Sequence, residues 1–297
     1  MKSKKYWILG TCLFIFFSLL GVGFLFLMAL FSGDSDWSEF RGNIAVVEVK
    51  GPIFESEAIV QKIKKYRENP SVLAMVLRVD SPGGGVGPSQ EIYSAVKRFA
   101  EKKKVVVSMG TVAASGGYYV AAPAHKILAN PGTITGSIGV LMEHMEIDQL
   151  LQWAKISAEV LKAGKNKDVG SSLRKMTPEE RALLEDLLNN MHHQFRQAVS
   201  EGRKISMEDL ENIADGKVYT GEQALGLKLV DQLGDLEDAI QVAKDLAGIK
   251  GEPHVIYPKK AKPLLWEALF DEESSSRWLQ KILTHTTGYR PYYLMSL

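Results

Sequence analysis

The sequence predicts an α/β domain whose largely parallel strands are buried on both faces, and three observations carry that prediction. Short β-branched runs alternate with stretches of helical spacing. The runs are apolar at consecutive positions, as strands covered on two sides require. Glycine-rich turns stand at strand ends, where a connection to a helix is due. Of the 297 residues 45% are hydrophobic and 24% charged, which excludes general disorder and allows one large or two small domains. A net charge of +1 gives no reason to expect a nucleic-acid partner. The single Cys excludes an internal disulfide and a multi-cysteine zinc site.

Along the chain, Lys2, Lys4 and Lys5 are the only charges before Asp34, which marks residues 1–5 as a cytoplasmic N-terminus. Residues 6–31 form an uncharged run of 26 residues, read as a transmembrane anchor. A helix of that length reaches about 39 Å, enough to cross roughly 30 Å of hydrocarbon with some tilt. A cleaved signal peptide would end in small residues, whereas Phe24 to Phe31 stays bulky. Leu9-Gly-Thr-Cys12 faintly resembles a lipoprotein processing site, but apolar sequence continues far beyond Cys12. The basic end places everything after Gly33 outside the cytoplasm.

Residues 32–42 read as a linker, 43–257 as the main domain and 258–297 as a C-terminal tail. Within the domain, Asn43 to Val49 reads as a strand closed by Gly51-Pro52. Residues 56–67 read as an amphipathic helix ended by Asn69-Pro70, and Val72 to Val79 as a buried strand entering the turn Ser81–Gly85. Helical spacing returns over 88–103 through Ile92, Val96 and Phe99. Lys104 to Met109 is a strand, followed by the turn Gly110–Gly117 and a short helix. Thr177-Pro178-Glu179-Glu180 supplies an N-cap, an N1 proline and a capping-box glutamate for a long helix. Its stripe from Leu183 through Leu187, Met191 and Phe195 to Val199 is core or subunit contact.

Neither glycine-rich turn matches G-x-G-x-x-G or ends in G-K-[ST], so phosphate loops are excluded. Glycine there lets backbone amides approach a bound backbone or an oxyanion. Ser115, between Ala114 and Gly116 at a loop-to-helix junction, is placed as a nucleophile or as a plain helix N-cap. None of the six histidines stands in a context suited to a base, and His192 and His193 project about 100° apart. That turns attention to lysine, which serves as a base where desolvation keeps it neutral.

VLRVDSPGGG, MGTVAASGGYYVA, TGSIGV, GKNKD, RKMTPEE and ADGKVYTGEQALGLKLVDQLG occur in that order between Asn43 and Ala247. Together they resemble the bacterial signal peptide peptidase A family, in its short, single-repeat form. The resemblance implies a spiral α/β fold of strand–strand–helix units, shared with the proteolytic subunit of the Clp protease and with crotonases. It implies Ser115 as nucleophile, Lys167 as general base, Gly83 and Gly116 as oxyanion amides, and Ser137 as the residue orienting the lysine. Gly84 competes with Gly83, and Lys165 and Lys162 with Lys167. One departure is that Ser171-Ser172 stands where the family has Ser-Pro, which loosens the loop after the base.

A serine–lysine peptidase needs no cofactor and no metal. The implied substrates are apolar signal-peptide fragments left in the cytoplasmic membrane, with misfolded secreted proteins as a second pool, cut on the extracytoplasmic side by a homo-oligomeric ring with shared active sites. An inactive scaffold of the same fold and acyl-CoA hydratase chemistry are the other readings. The apolar end, from Tyr292 to Leu297, either docks in a cleft as a substrate mimic or serves only in packing or disorder.

Overall fold

Val46 and Val47 are neighbours in sequence, both are buried, and they belong to different hydrophobic cores on opposite faces of one sheet. The computed structural model describes residues 16–24, 42–258 and 292–294. It divides into two units, Met1–Arg41 and Gly42–Leu297. In the first, residues 16–24 form helix α1, whose apolar side chains, Phe16 to Phe24, are exposed. Among the described residues no helix is long and apolar enough to cross a membrane. The expected span 6–31 lies outside them except for α1.

The second unit opens with β1 (Ile44–Lys50) and α2 (Glu57–Glu68), then β2 (Ala74–Ser81) and β3 (Gly83–Gly85). Next come α3 (Val86–Ala100), β4 (Lys104–Ala114), α4 (Gly116–Ala121), β5 (Lys126–Ala129) and β6 (Ile134–Gly136). The chain continues through α5 (Asp148–Trp153), α6 (Pro178–Arg203), α7 (Met207–Ile213), β7 (Val218–Thr220) and α8 (Gly221–Gly226). It closes with β8 (Gln232–Leu233), α9 (Leu236–Leu246), β9 (Val255–Ile256) and β10 (Tyr292–Leu294).

Eight strands form one sheet in the order β7-β6-β4-β2-β1-β9, with β5 and β8 branching from β4. The pairings are parallel except for β6 with β7, as the continuous apolar runs predict. Val47, Leu77 and Val107 pack in one core with Ile92, Phe99 and Phe195 from the helices. Val46, Val76 and Val106 pack on the other face against Ala239, Ile240 and Ala243 of α9.

Both glycine-rich stretches expected as turns carry strand structure. The strand that starts at Lys104 runs on through Ala114 and exchanges its neighbour along the way, pairing with β5 over Val106–Ser108 and with β6 over Val112–Ala114. A register shift between Val79 and Ser81 absorbs the bend, and Asp80 Oδ1 accepts from Val112 N at 3.1 Å to hold it. The other stretch becomes β3. Ile53 N donates to Gly83 O and Gly85 N to Ile53 O, each at 2.8 Å, and a Cβ on Gly84 would lie 2.1 Å from Ile53 O.

The long helix begins with the predicted capping box, Thr177 with Glu180. Only Phe195, Ala198 and Val199 of α6 are buried, while Leu183 and Leu187 remain exposed.

Candidate active site

Ser115 follows β4 at φ 53° and ψ −120°, values that belong to the first central residue of a type II′ turn and favour glycine. Two backbone bonds enforce them: Ser115 N donates to Gly136 O at 2.8 Å, and Tyr119 N donates to Ser115 O at 2.8 Å. A serine held in this region stores about 1–3 kcal/mol of strain, a feature that clusters at active sites. The N-cap alternative fails on geometry, because the Ser115 side chain makes no capping bond to α4.

The sheet brings the other members to Ser115. Ala114 pairs with Gly136 at the C-terminal ends of parallel strands, so Ser115 and Ser137 are the next residues on neighbouring strands. Ser137 also has a positive φ, 49°, and its N–H donates to Lys217 O at 2.7 Å. Gly116 packs on the β3 turn so closely that a Cβ there would lie 3.1 Å from both Gly83 Cα and Gly84 N. Gly83 N donates to Ser81 Oγ at 3.1 Å, so its amide already has an acceptor.

Lys167 is the remaining member of the set that the resemblance implies. It stands exposed on the loop after α5, and among the described residues no hydrogen bond joins it to Ser115. Lys165 is exposed too, and the Lys162 ammonium is engaged by the Asp168 carboxylate and by Lys165 O. The same arm exposes Met145, Leu150, Trp153, Ile156 and Leu161.

Among the described residues the histidines keep the structural reading, and His285 lies outside them. His192 Nε2 lies 3.1 Å from Ile138 O and 2.7 Å from Ala214 O, which requires the proton on that nitrogen. His125 Nδ1 accepts from Val105 N at 3.1 Å, and burial pushes its pKa down. Among the described residues no cluster of His, Cys, Asp and Glu could hold a metal.

Ser89 escapes the sequence. Its hydroxyl is fully buried, has no hydrogen-bond partner among the described residues and would lie 2.7 Å from a Cβ on Gly116. The signal was a lone serine on the apolar face that carries Val86, Ile92 and Val96.

Beside this site the outer edge of β3 pairs antiparallel with β10, Tyr292 opposite Gly85, Tyr293 opposite Gly84 and Leu294 opposite Gly83. The arrangement offers a strained serine, closely packed glycine amides and a strand edge that takes up extended chain.

The family model for peptidase family S49 matches residues 97–250. A Synechocystis sp. protein named "Putative protease" is 44% identical over 70% of this chain and 76% of its own. The chloroplastic serine protease SPPA of Arabidopsis thaliana is 32% identical over 80% of this chain and 36% of its own. The Enterococcus faecium protein named "Putative signal peptide peptidase SppA" is 34% identical over 64% of this chain and 56% of its own.

Proposed function

The chain belongs to peptidase family S49 and is a protease of the signal peptide peptidase A-like kind, and on that premise we propose that it is a membrane-anchored serine endopeptidase with Ser115 as nucleophile and Lys167 as general base. One observation carries the reading: next to Ser115, the edge of β3 accepts an extended segment in antiparallel register, as it would a peptide substrate.

In this mechanism the neutral amine of Lys167 takes the proton of Ser115 as the oxygen attacks the peptide carbonyl. The amides of Gly116 and of Gly83 or Gly84 stabilise the oxyanion, an effect worth about 3–4 kcal/mol per donor. The C–N bond then breaks, the lysine returns its proton to the leaving amine, and water attacks the acyl-enzyme with the lysine again as base. Ser137 orients the amine. A free lysine titrates near ~10.4, so a working fraction of neutral amine needs a depression of roughly 2–3 units.

In one copy of the chain Lys167 stands exposed, whereas a lysine base is kept neutral by desolvation or a neighbouring cation. The missing burial comes from a second copy of this chain. The arm that carries Lys167 also exposes Trp153 and Leu161, and docking it on a neighbour covers those side chains and brings Lys167 to that neighbour's Ser115. Repeated head to tail, this contact closes a ring. The exposed apolar side chains of α1 and the basic N-terminus support the anchor, with the domain on the extracytoplasmic face. Substrates there are signal peptides released in the membrane and misfolded secreted proteins.

The test is a peptidase assay on detergent-solubilised protein with Ser115→Ala, Lys167→Ala and a subunit-exchanged mixture of the two. Each variant alone is expected to be inactive, and the mixture to recover about one quarter of wild-type activity, the random share of intact junctions. An active Lys167→Ala removes the base assignment. A dead mixture of well-assembled variants removes the shared site.

A further inference from the structure

A general base must be held to within a fraction of an ångström, and the exposed Lys167 contributes little to its own placement. The next residue shows what holds the loop. Asp168 Oδ2 accepts from Arg174 Nε at 2.9 Å, and Asp168 O from Arg174 Nη2 at 3.3 Å. The outer edge of the same guanidinium grips Glu180, with Nη1 donating to Oε2 at 2.8 Å and Nη2 to Oε1. Glu180 is the capping-box residue of α6, and its Oε2 also accepts from Thr177 N at 3.0 Å. The base loop is thereby bolted to the first turn of a 26-residue helix. A second tie, Ile147 N to Ser172 O at 2.9 Å, falls at the position where the proline is missing.

Both carboxylates are only 11% exposed. Bonding to Arg174 holds the Asp168 carboxyl well below the usual carboxylate range and lowers that of Glu180 to about 2. The charged groups around the loop are Lys162, Lys165, Arg174, Glu179 and Glu180. Without Arg174, the Asp168 carboxylate would be left beside Lys167 with only Lys162 as an ion-pair partner.

We propose that Arg174 is the positioning residue of the lysine base: it clamps Asp168 to Glu180, which fixes the loop carrying Lys167, and it keeps the Asp168 carboxylate from pairing with the Lys167 ammonium. This inference rests on the reading of Lys167 as base. Lysine cannot replace Arg174, because a point charge cannot span two carboxylates as the planar fork does.

The experiment uses the assembled full-length protein and measures kcat, KM and the pH dependence of kcat/KM, with Lys167→Ala run alongside. Arg174→Ala is expected to lower kcat roughly tenfold to a hundredfold, the effect of a small displacement of a catalytic group, with KM changed less than about twofold. Its acid limb of kcat/KM moves to higher pH, because a released carboxylate stabilises the ammonium. Adding Asp168→Asn returns the limb to its wild-type position while kcat stays low. Glu180→Gln, which leaves Arg174 on Asp168, lowers kcat without moving the limb, and it serves if Arg174→Ala does not assemble. Methylguanidinium restores part of the activity of Arg174→Ala. An inactive Lys167→Ala beside an Arg174→Ala, or in its absence a Glu180→Gln, of wild-type kcat overturns the clamp alone. An active Lys167→Ala overturns the base assignment, and the clamp's role with it.

Discussion

Ser115 holds a backbone conformation that suits glycine, and the surrounding sheet is what keeps it there. The strain sets stability against activity at a single residue. Ser115→Gly removes the proposed nucleophile and the strain together, so it is expected to be inactive yet more stable than Ser115→Ala, by about 1 kcal/mol after the entropic cost of glycine. Urea unfolding of the two inactive variants measures the difference. Equal midpoints would mean that the turn relaxes around alanine.

Little of this was legible in the residues alone. A serine between alanine and glycine reads first as a helix cap, and only the family blocks singled it out. Its positive φ comes from Gly136 O and Tyr119 N, contacts that no local pattern encodes. Arg174 was harder still, because an arginine between a glycine-containing loop and a helix cap looks like an ordinary surface charge until its two carboxylates are seen.

Strands and helices with strong periodicity followed expectation: β1, α2, β2 and the capping box of α6 lie where the sequence put them. The glycine-rich stretches did not, for a physical reason. Strand propensity is a matter of side-chain packing, and glycine has none to offer, yet β3 forms because Ile53 on one side supplies backbone partners and leaves no room for a Cβ at Gly84. The short strands β7, β8 and β9 carry too few residues to show a period at all.

The expectation that the chain end docks is met in backbone pairing by β10 on β3. A segment tethered to the enzyme competes with substrate at a high effective concentration. Deleting residues 286–297 is therefore expected to lower KM for extended peptides several-fold with kcat little changed. Unaltered kinetics in steady-state assays would mean that the pairing does not obstruct substrate.

On the scale of the whole molecule, the two cores make the sheet a rigid platform, and the site assembles where β4 changes partners. In the proposed assembly the platform supplies the serine and the glycine amides, and the arm supplies the base to another copy. Specific activity should thus fall on dilution in step with dissociation of the assembly, as read by activity and sedimentation on the same samples. A constant activity per chain through dissociation would show that one copy suffices.

The pairing of β9 with β1 has a consequence of another kind. Asn43 and His254, 211 residues apart, exchange hydrogen bonds, and Ile44 lies opposite Val255 in the sheet. Among the described strands, the earliest in the chain is thus paired with one of the latest. Until residue 256 has been delivered, β1 presents an open edge to whatever extended chain is near, and the time spent waiting grows with the length of chain still to come. The face that carries Phe99 begins to be covered as α2 and α3 appear, whereas the face under α9 and the outer partner of Ile44 and Ala45 both wait for residues 236–256.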